Sequence, residues 1–415
     1  MELSKKRGGA GKHRVVIVGG GFAGIRCALD LAKNKSKDVK VTLISNKKHF
    51  EYYPRIYRVV TGESPLEVCI PLSEIFLNKD VEVVQDEVVN VDLTNKKVTA
   101  KDGSVYMYDD IVLGLGSETV YFNIEGVKER SFGFKSINEA LALKTHLHKM
   151  FDVYLSSTKE DLVSHLHIVI VGGGPSGVEL AGELTKYMAH LAHKHNIDNN
   201  FVTIDIVEAS PRLVSALPED VSLHIYNHLH SIGVNIFLNR TVVKEDVDEI
   251  TMKDMSLKSN TLIWTAGSRT NHFYEFIKGL TLHRSGRVLV DDYLQADGFE
   301  NVYIAGDSAF TKYAGLAQTA LYDGTYIAKT ILKKLSGEKI KKYVPSKVAY
   351  AVPAGKHWAA VSIGPIKIYG FFGWVIRELV DMRFFLTILP FYKAFRLFRH
   401  HALCESCTTC EENIK

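Results

Sequence analysis

The sequence lacks the features that mark the more specialised classes of protein. Its 415 residues contain only five cysteines, too few for a disulfide framework, so we expect a reducing compartment. No window reaches the roughly 18 uncharged apolar residues of a membrane-spanning helix, and the basic N-terminal stretch is not followed by the apolar run of a secretory signal. The net charge of +4 is small, so a nucleic-acid partner is not expected. These absences predict a cytoplasmic globular protein with an ordinary apolar fraction of 46%.

What the chain has instead is a glycine-rich loop near its N-terminus. The apolar run Arg14–Val18 is typical of a strand buried on both faces, and a segment with helical periodicity follows the loop. Between them, Gly19, Gly21 and Gly24 have the G-x-G-x-x-G spacing. Strand, glycine turn and helix together predict a dinucleotide site, with the pyrophosphate at the helix N-terminus.

A second loop repeats this pattern in the middle of the chain. His167–Val171 is the predicted strand, Gly172, Gly174 and Gly177 are the glycines, and a long helical pattern follows. One such loop by itself is also compatible with a glycine turn that binds no nucleotide. Two loops in matching context favour two bound dinucleotides.

The two loops differ in the residue that follows the next strand, where a carboxylate normally holds the ribose hydroxyls. After the first loop this strand is Val39–Ser45, and it ends in Ser45 instead of an acid. After the second loop the strand Thr203–Val207 is followed by Glu208. A carboxylate there would repel a 2′-phosphate, so Glu208 predicts NADH over NADPH, although the nearby Arg212 could weaken that preference.

Further segments of the chain resemble the type II NADH:quinone oxidoreductases, a family of single-chain flavoproteins. The resemblance extends over about residues 13–400 and rests on the glycine loop "GGGPSGVELAGEL" together with four stretches in the same order: Tyr108–Gly126, Ile206–Val221, Leu262–Arg269 and Gly286–Ala309. It implies an α/β fold with two Rossmann-like domains. The first loop would bind FAD and the second NADH.

The resemblance also implies a domain organisation and a reaction. The FAD-binding domain would comprise residues 13–125 and 285–345, the NADH-binding domain 126–284 would be inserted in it, and residues 346–415 would form a C-terminal membrane-anchoring region. The reaction would be hydride transfer from NADH to the flavin, then two-electron reduction of a membrane quinone without proton pumping. Two alternatives remain: a soluble NADH reductase with a protein or oxygen acceptor, and a slow-turnover redox sensor.

Several site residues follow from this resemblance. Glu179, just after the second loop, would lie near the flavin and nicotinamide and help protonate the quinone; with Glu183 it could instead form a solvated helix face. Asp307 would bond the ribityl chain of FAD, or cap a helix. Further cofactor contacts are expected at Val88, Gly116 and Gly267. The chemistry belongs to the cofactor, so no metal and no protein nucleophile is expected.

A predicted quinone site lies in the stretch Ala314–Gly324. Ala317 and Gln318 match the family motif, whereas Tyr322 and Asp323 replace its usual amides. Tyr322 could contact a quinone ring or be a core residue on an apolar helix. The altered half of the motif leaves open whether the quinone is ubiquinone or menaquinone.

The C-terminal residues 362–400 are rich in aromatic and basic side chains. Phe391, Phe395 and Phe398 recur at helical spacing, with Lys393, Arg396 and Arg399 on another face. This pattern predicts an amphipathic helix lying in the interface of a membrane, with a core-facing helix or a dimer interface as the alternative. The family resemblance implies attachment to the cytoplasmic face of the cell membrane, and a homodimer.

Cysteine placement separates the chain from related reductases. Cys27 and Cys69 do not form the closely spaced pair of the disulfide reductases, and none lies between Cys69 and Cys404 where sulfide:quinone oxidoreductases need them. The tail carries Cys404, Cys407 and Cys410 after His401. That spacing could hold zinc or an iron–sulfur cluster, but a reduced, disordered tail is the simpler expectation.

Overall fold

A computed structural model describes residues 11–33, 38–152, 163–345 and 347–399 of the chain. In chain order the helices within these ranges are α1 (Phe22–Ala32), α2 (Ile56–Val60), α3 (Leu72–Ile75), α4 (Val127–Arg130), α5 (Ile137–Asp152), α6 (Pro175–Lys194), α7 (Glu219–Ser231), α8 (Ala317–Ser336), α9 (Phe371–Ile388) and α10 (Phe391–Arg399).

The strands within the same ranges are β1 (His13–Val18), β2 (Val39–Ser45), β3 (His49–Glu51), β4 (Cys69–Pro71), β5 (Glu82–Gln85), β6 (Val88–Asp92), β7 (Lys97–Ala100), β8 (Val105–Met107), β9 (Asp110–Leu113), β10 (Ser117–Thr119), β11 (Phe132–Gly133), β12 (His167–Val171), β13 (Thr203–Glu208), β14 (Val234–Leu238), β15 (Val242–Glu245), β16 (Glu249–Met252), β17 (Ser256–Lys258), β18 (Thr261–Trp264), β19 (Ser268–Thr270), β20 (Val302–Ile304), β21 (Tyr350–Pro353), β22 (Ala359–Ile363) and β23 (Ile366–Ile368).

The chain forms two compact units. Within the described ranges, the first comprises the residues up to 50 together with 71–118 and 269–348, and the second comprises 51–70, 119–268 and the residues from 349 onward. Each unit is therefore built from separated pieces of the sequence.

The first unit is built on a parallel sheet in the order β20-β9-β1-β2-β5. The last four residues of its central strand β1 are valine or isoleucine and buried, because both faces of the strand are covered there. Helices α1 and α8 pack so closely that a Cβ added to Gly324 would lie 2.3 Å from the carbonyl oxygen of Ala23. The strand order reverses beside β1, which is where open α/β sheets bind ligands.

The second unit contains a parallel sheet in the order β11-β18-β12-β13-β14. All five residues of its central strand β12 are buried. The two Rossmann-like sheets confirm the predicted fold class. The second unit also includes the antiparallel sheet β21-β22-β23, which is followed by α9 and α10.

Helix α9 buries three of its four charged residues and exposes part of its apolar ones. Arg377, Glu378 and Asp381 are buried and Arg383 is exposed, as are Phe371, Phe372, Leu379 and Val380. Within the described ranges, none of the helices combines the length and the apolarity needed to cross a bilayer.

Candidate functional site

The first glycine loop lies at the carboxyl end of β1. Each of its glycines has a different structural reason for being a glycine. Gly19 has a φ of +113°, and a Cβ there would lie 2.4 Å from the carbonyl oxygen of Gly114. A Cβ on Gly24 would lie 2.0 Å from the carbonyl oxygen of Gly19, so this glycine lets α1 pack on the strand. Gly21 has no atom within 4 Å of the Cβ position and is the N-cap of α1, with no side-chain cap. The loop thus has an open face and an uncapped helix N-terminus, which suit a pyrophosphate.

Ser45 ends β2 beside this loop. Its side chain is 5% exposed, and its hydroxyl accepts the Lys47 N–H at 3.2 Å. A Cβ added to Gly20 would lie 2.7 Å from the Ser45 hydroxyl oxygen, so the serine packs directly under the loop. Asn46, the next residue, is exposed.

Asp307 lies at the carboxyl end of β20 in the same unit. It belongs to the short turn Gly306–Ser308, and its carboxylate accepts the Ser117 hydroxyl at 2.6 Å. The Ser308 hydroxyl donates to the Gly116 carbonyl at 3.2 Å, which joins the ends of β20 and β9. The alternative that Asp307 caps the following helix is wrong, because α8 begins at Ala317 and its N-cap is Leu316.

The second glycine loop has the same construction in the second unit. A Cβ on Gly177 would lie 2.0 Å from the carbonyl oxygen of Gly172, while Gly174 has no atom within 4 Å of the Cβ position. Gly174 is the N-cap of α6, again without a side-chain cap. Gly267 lies against Val120 and Phe122, which a Cβ would approach to 2.8 Å.

Glu208 reaches back into this second loop from the end of β13. Its carboxylate accepts the Gly173 N–H at 2.5 Å and the Ser210 N–H at 2.6 Å. Arg212 donates to the Leu217 and Ser215 carbonyls, each at 2.6 Å. The arginine is therefore engaged within its own loop, and Glu208 retains the position of a ribose-binding acid.

Glu179 and Glu183 are both half-buried on one face of α6. Burial raises the pKa of Glu179 to about 8; Arg377 opposes this, and the negative charges of Asp381 and Glu183 add to it. Burial likewise raises the pKa of Glu183. A fully solvated helix face does not describe these residues, because both are half-buried.

A buried charge network lies in the same unit and was not foreseen from the sequence. Arg55, 1% exposed, donates to Asp381 at 2.6 Å and to Glu378 at 2.5 Å, and the Tyr52 hydroxyl donates to Asp381 at 2.6 Å. Arg58 also binds Glu378. Burial alone would raise the pKa of Asp381, but Arg377 and Arg55 hold it below its usual value. The signal in the sequence was the presence of charges within two otherwise apolar stretches.

The predicted quinone motif forms the first turns of α8 in the first unit. Gln318 is exposed and Tyr322 is 38% exposed, four residues apart on one face. The alternative that Tyr322 is a core residue is wrong. Asp323, the next residue, is fully buried, and Ala317 opens the helix half-buried. Val88 begins β6 in this unit and is half-buried.

Some predicted features lie outside the described residues. These are the tail residues His401, Cys404, Cys407 and Cys410, and the side chains of Arg396, Phe398 and Arg399. In the part of the chain that the structure covers, no group of histidine, cysteine and acidic side chains is arranged to hold a metal ion. Cys27 and Cys69 are both buried free thiols.

The folds and loops described above define a class of oxidoreductase. The sequence model of the pyridine nucleotide-disulphide oxidoreductases matches residues 13–324 of this chain. The type II NADH:quinone oxidoreductase of Staphylococcus aureus is 30% identical over 347 residues, which cover 80% of this chain and 85% of the relative. That of Mycobacterium tuberculosis is 29% identical over 396 residues, which cover 90% and 85%. The chain belongs to the type II NADH:quinone oxidoreductases.

Solved structures show the same fold at lower sequence identity. NDH2 from Plasmodium falciparum, in complex with NADH, superposes with a TM-score of 0.84 at 18% identity and covers 93% of this chain and 97% of its own. The sulfide:quinone oxidoreductase of Aquifex aeolicus superposes with a TM-score of 0.76 at 17% identity and covers 95% and 98%. The architecture is thus shared by enzymes with different electron donors.

Proposed function

We propose that this chain oxidises NADH and reduces a quinone, with FAD bound at the first glycine loop and NADH at the second. The observation that carries the proposal is the pair of loops, each at the carboxyl end of a central parallel strand and each with an open second glycine and an uncapped helix. These features fit a pyrophosphate in each unit. FAD held there would supply the acceptor for the hydride of NADH and the donor of two electrons to the quinone.

The residues of the first unit fit the remainder of FAD. Asp307 offers a carboxylate, held by the Ser117 hydroxyl, for the hydroxyls of the ribityl chain. Ser45, beside Gly20, offers a hydroxyl to the adenosine ribose. Gly116, Ala317 and Val88 would add backbone contacts to the cofactor.

The residues of the second unit fit NADH better than NADPH. The Glu208 carboxylate stands against the loop through its bond to the Gly173 N–H. From there it can accept bonds from a free 2′-hydroxyl, and its charge repels a 2′-phosphate. Gly267, close to Val120 and Phe122, would bring its backbone to the cofactor without a side chain in the way.

Glu179 is the proposed proton donor to the quinone. A carboxyl group whose pKa is raised to about 8 is mostly protonated at neutral pH. Such a group can give up a proton to a reduced quinone oxygen, and a pKa near the working pH is what general acid catalysis favours. Gln318 and Tyr322, exposed on one face of α8, would contact the quinone itself.

We also propose that the chain works on the cytoplasmic face of the cell membrane, as part of a respiratory chain and as a homodimer. The exposed side chains Phe371, Phe372, Leu379 and Val380 of α9 form an apolar face, and Phe391 and Phe395 of α10 are also exposed. Apolar faces of this kind suit shallow insertion into a bilayer interface.

We propose an FAD-binding domain of residues 13–125 and 285–345, with residues 126–284 inserted. This division is supported by the first compact unit, to which the chain returns at residue 269.

An anaerobic spectrum of the purified protein tests the proposed function. NADH should bleach the flavin absorption, and a short-chain quinone added next should restore it at the rate of turnover. Bleaching without recovery would favour a protein or oxygen acceptor, or a sensor. A protein purified without flavin, and unable to take it up, would contradict the proposal.

A further inference from the structure

Asp323 is a buried carboxylate that follows Tyr322 on α8. It lies on α8 with no exposed surface. Its Oδ2 accepts the Gly306 N–H at 2.9 Å, and its Oδ1 accepts the Tyr343 hydroxyl at 2.7 Å. A buried acid is costly unless donors satisfy it, and here each oxygen has one.

The Gly306 bond bears directly on Asp307. Gly306 has a φ of +69°, the left-handed region that glycine enters most easily, and it turns the chain from β20 into the Asp307 turn. Asp323 holds the amide of this turning residue. On its other side, Asp307 accepts the Ser117 hydroxyl at 2.6 Å. The carboxylate of Asp307 is thus located both by its own bond and by the backbone that precedes it.

Tyr343 reaches Asp323 from the extended segment that follows α8. Its ring lies 5.8 Å from that of Tyr322 and 5.2 Å from that of Tyr326, centroid to centroid. Its backbone N–H donates to the Asp292 carbonyl at 2.7 Å, and Lys342 binds the Asp292 carboxylate at 2.6 Å. Aromatic contacts and backbone bonds therefore hold the Tyr343 hydroxyl in place over the buried acid.

We propose that Asp323 and Tyr343 are positioning residues that fix the turn carrying Asp307, and so determine how tightly this enzyme holds FAD. The inference rests on the proposed function, in which Asp307 binds the flavin. It connects Asp323 with the turn that carries Asp307, and leaves Gln318 and Tyr322 as exposed residues of the predicted quinone site.

The position of Asp323 implies a pH dependence of flavin binding. Burial raises the pKa of Asp323 to about 6; Tyr343 and the Gly306 N–H oppose this, and Asp307 adds to it. Below that pH the acid is neutral; the Tyr343 hydroxyl can turn to accept its proton, but the Gly306 N–H then donates to an uncharged oxygen. Hydrogen bonds to a neutral acceptor are weaker than those to a carboxylate, so the turn loosens as the pH falls through about 6.

The test is the dissociation constant of FAD, measured by flavin fluorescence between pH 5 and pH 8, for the full chain and its D323N variant. Asparagine has the shape of the acid but no charge, so the Gly306 N–H loses its charged acceptor and the constant should rise about tenfold at neutral pH. The wild-type constant should rise as the pH falls, and D323N should show little pH dependence. Glu338→Gln is the matched control, because it removes an exposed ion pair with Lys333 in the same unit, away from Asp323 and Tyr343, and its flavin binding should be unchanged.

Tyr343→Phe keeps the ring and removes only the hydroxyl. It is the second test variant, to be used if D323N does not fold. It should weaken FAD binding several-fold. The inference would be overturned if D323N bound FAD with wild-type affinity and a wild-type pH profile. If D323N is insoluble, wild-type affinity in Y343F would overturn it. A wild-type protein that binds no FAD would instead overturn the proposed function, so the two failures are distinguishable.

Discussion

The two glycine loops are nearly identical in sequence and in local geometry, yet they meet different residues. A buried serine, Ser45, lies under the first loop, whereas the carboxylate of Glu208 reaches into the second and binds the Gly173 N–H at 2.5 Å. The shared part, strand and glycine turn, lies where we propose that the phosphates bind. The part that differs lies where we propose that the ribose binds. A dinucleotide that stays bound can rely on contacts elsewhere, such as Asp307, whereas one that is exchanged at every turnover needs its specificity at the loop.

The largest expected effects come from substituting the third glycine of one loop at a time. In Gly24→Val and Gly177→Val, a Cβ would lie 2.0 Å from a backbone carbonyl oxygen. We expect G24V to lose FAD, and G177V to keep FAD while NADH-driven flavin reduction falls by at least about a hundredfold. Flavin content and stopped-flow reduction measure the two effects. Loss of FAD from G177V would show that the loops do not act separately.

The next largest effect should separate electron transfer from proton transfer. Glu179→Gln removes the proposed donor, so quinone turnover should fall about a hundredfold. Turnover with ferricyanide, which takes electrons without protons, should stay near the wild-type rate. Because the pKa of Glu179 is raised to about 8, its protonated form is lost above that pH, and wild-type quinone turnover should decline there. An equal loss with both acceptors would mean that Glu179 acts on flavin or nucleotide instead.

A smaller effect is expected from the acid of the second loop. Glu208→Gln removes the charge that opposes a 2′-phosphate, so the ratio of kcat/KM for NADH to that for NADPH should drop by roughly ten- to a hundredfold. Arg212→Gln is the control, because its guanidinium is engaged with the Leu217 and Ser215 carbonyls. An unchanged ratio in E208Q would place nucleotide selection elsewhere.

The smallest effect should follow from giving the first loop the acid it lacks. Ser45→Asp places a carboxylate under Gly20, where it can accept bonds from the adenosine ribose. We expect FAD to dissociate about threefold more slowly, a change of less than 1 kcal/mol. Faster dissociation would show that the close contact between Gly20 and the Ser45 hydroxyl needs the smaller side chain.

The sequence predicted the parts of the molecule whose signals are local. Each strand–glycine–helix unit is read within about thirty residues, and the structure places β1, β12 and their loops where the pattern indicated. The charge network of α9 could not be read in this way. Arg55 and Asp381 are far apart in sequence, and their pairing depends on tertiary packing. For the same reason the sequence showed that Asp323 departs from the motif, but not that Gly306 and Tyr343 satisfy it.

The inward charges of α9 have a practical consequence for protein production. If α9 lies in a membrane interface as proposed, a truncation before residue 371 would be the natural way to seek a detergent-free version of the enzyme. It would remove Glu378 and Asp381, which pair with Arg55, together with the helix that covers Arg55. Replacing Phe371 and Phe372 with polar residues alters only exposed positions of the helix. For this protein, substituting exposed apolar side chains is a sounder route to solubility than shortening the chain.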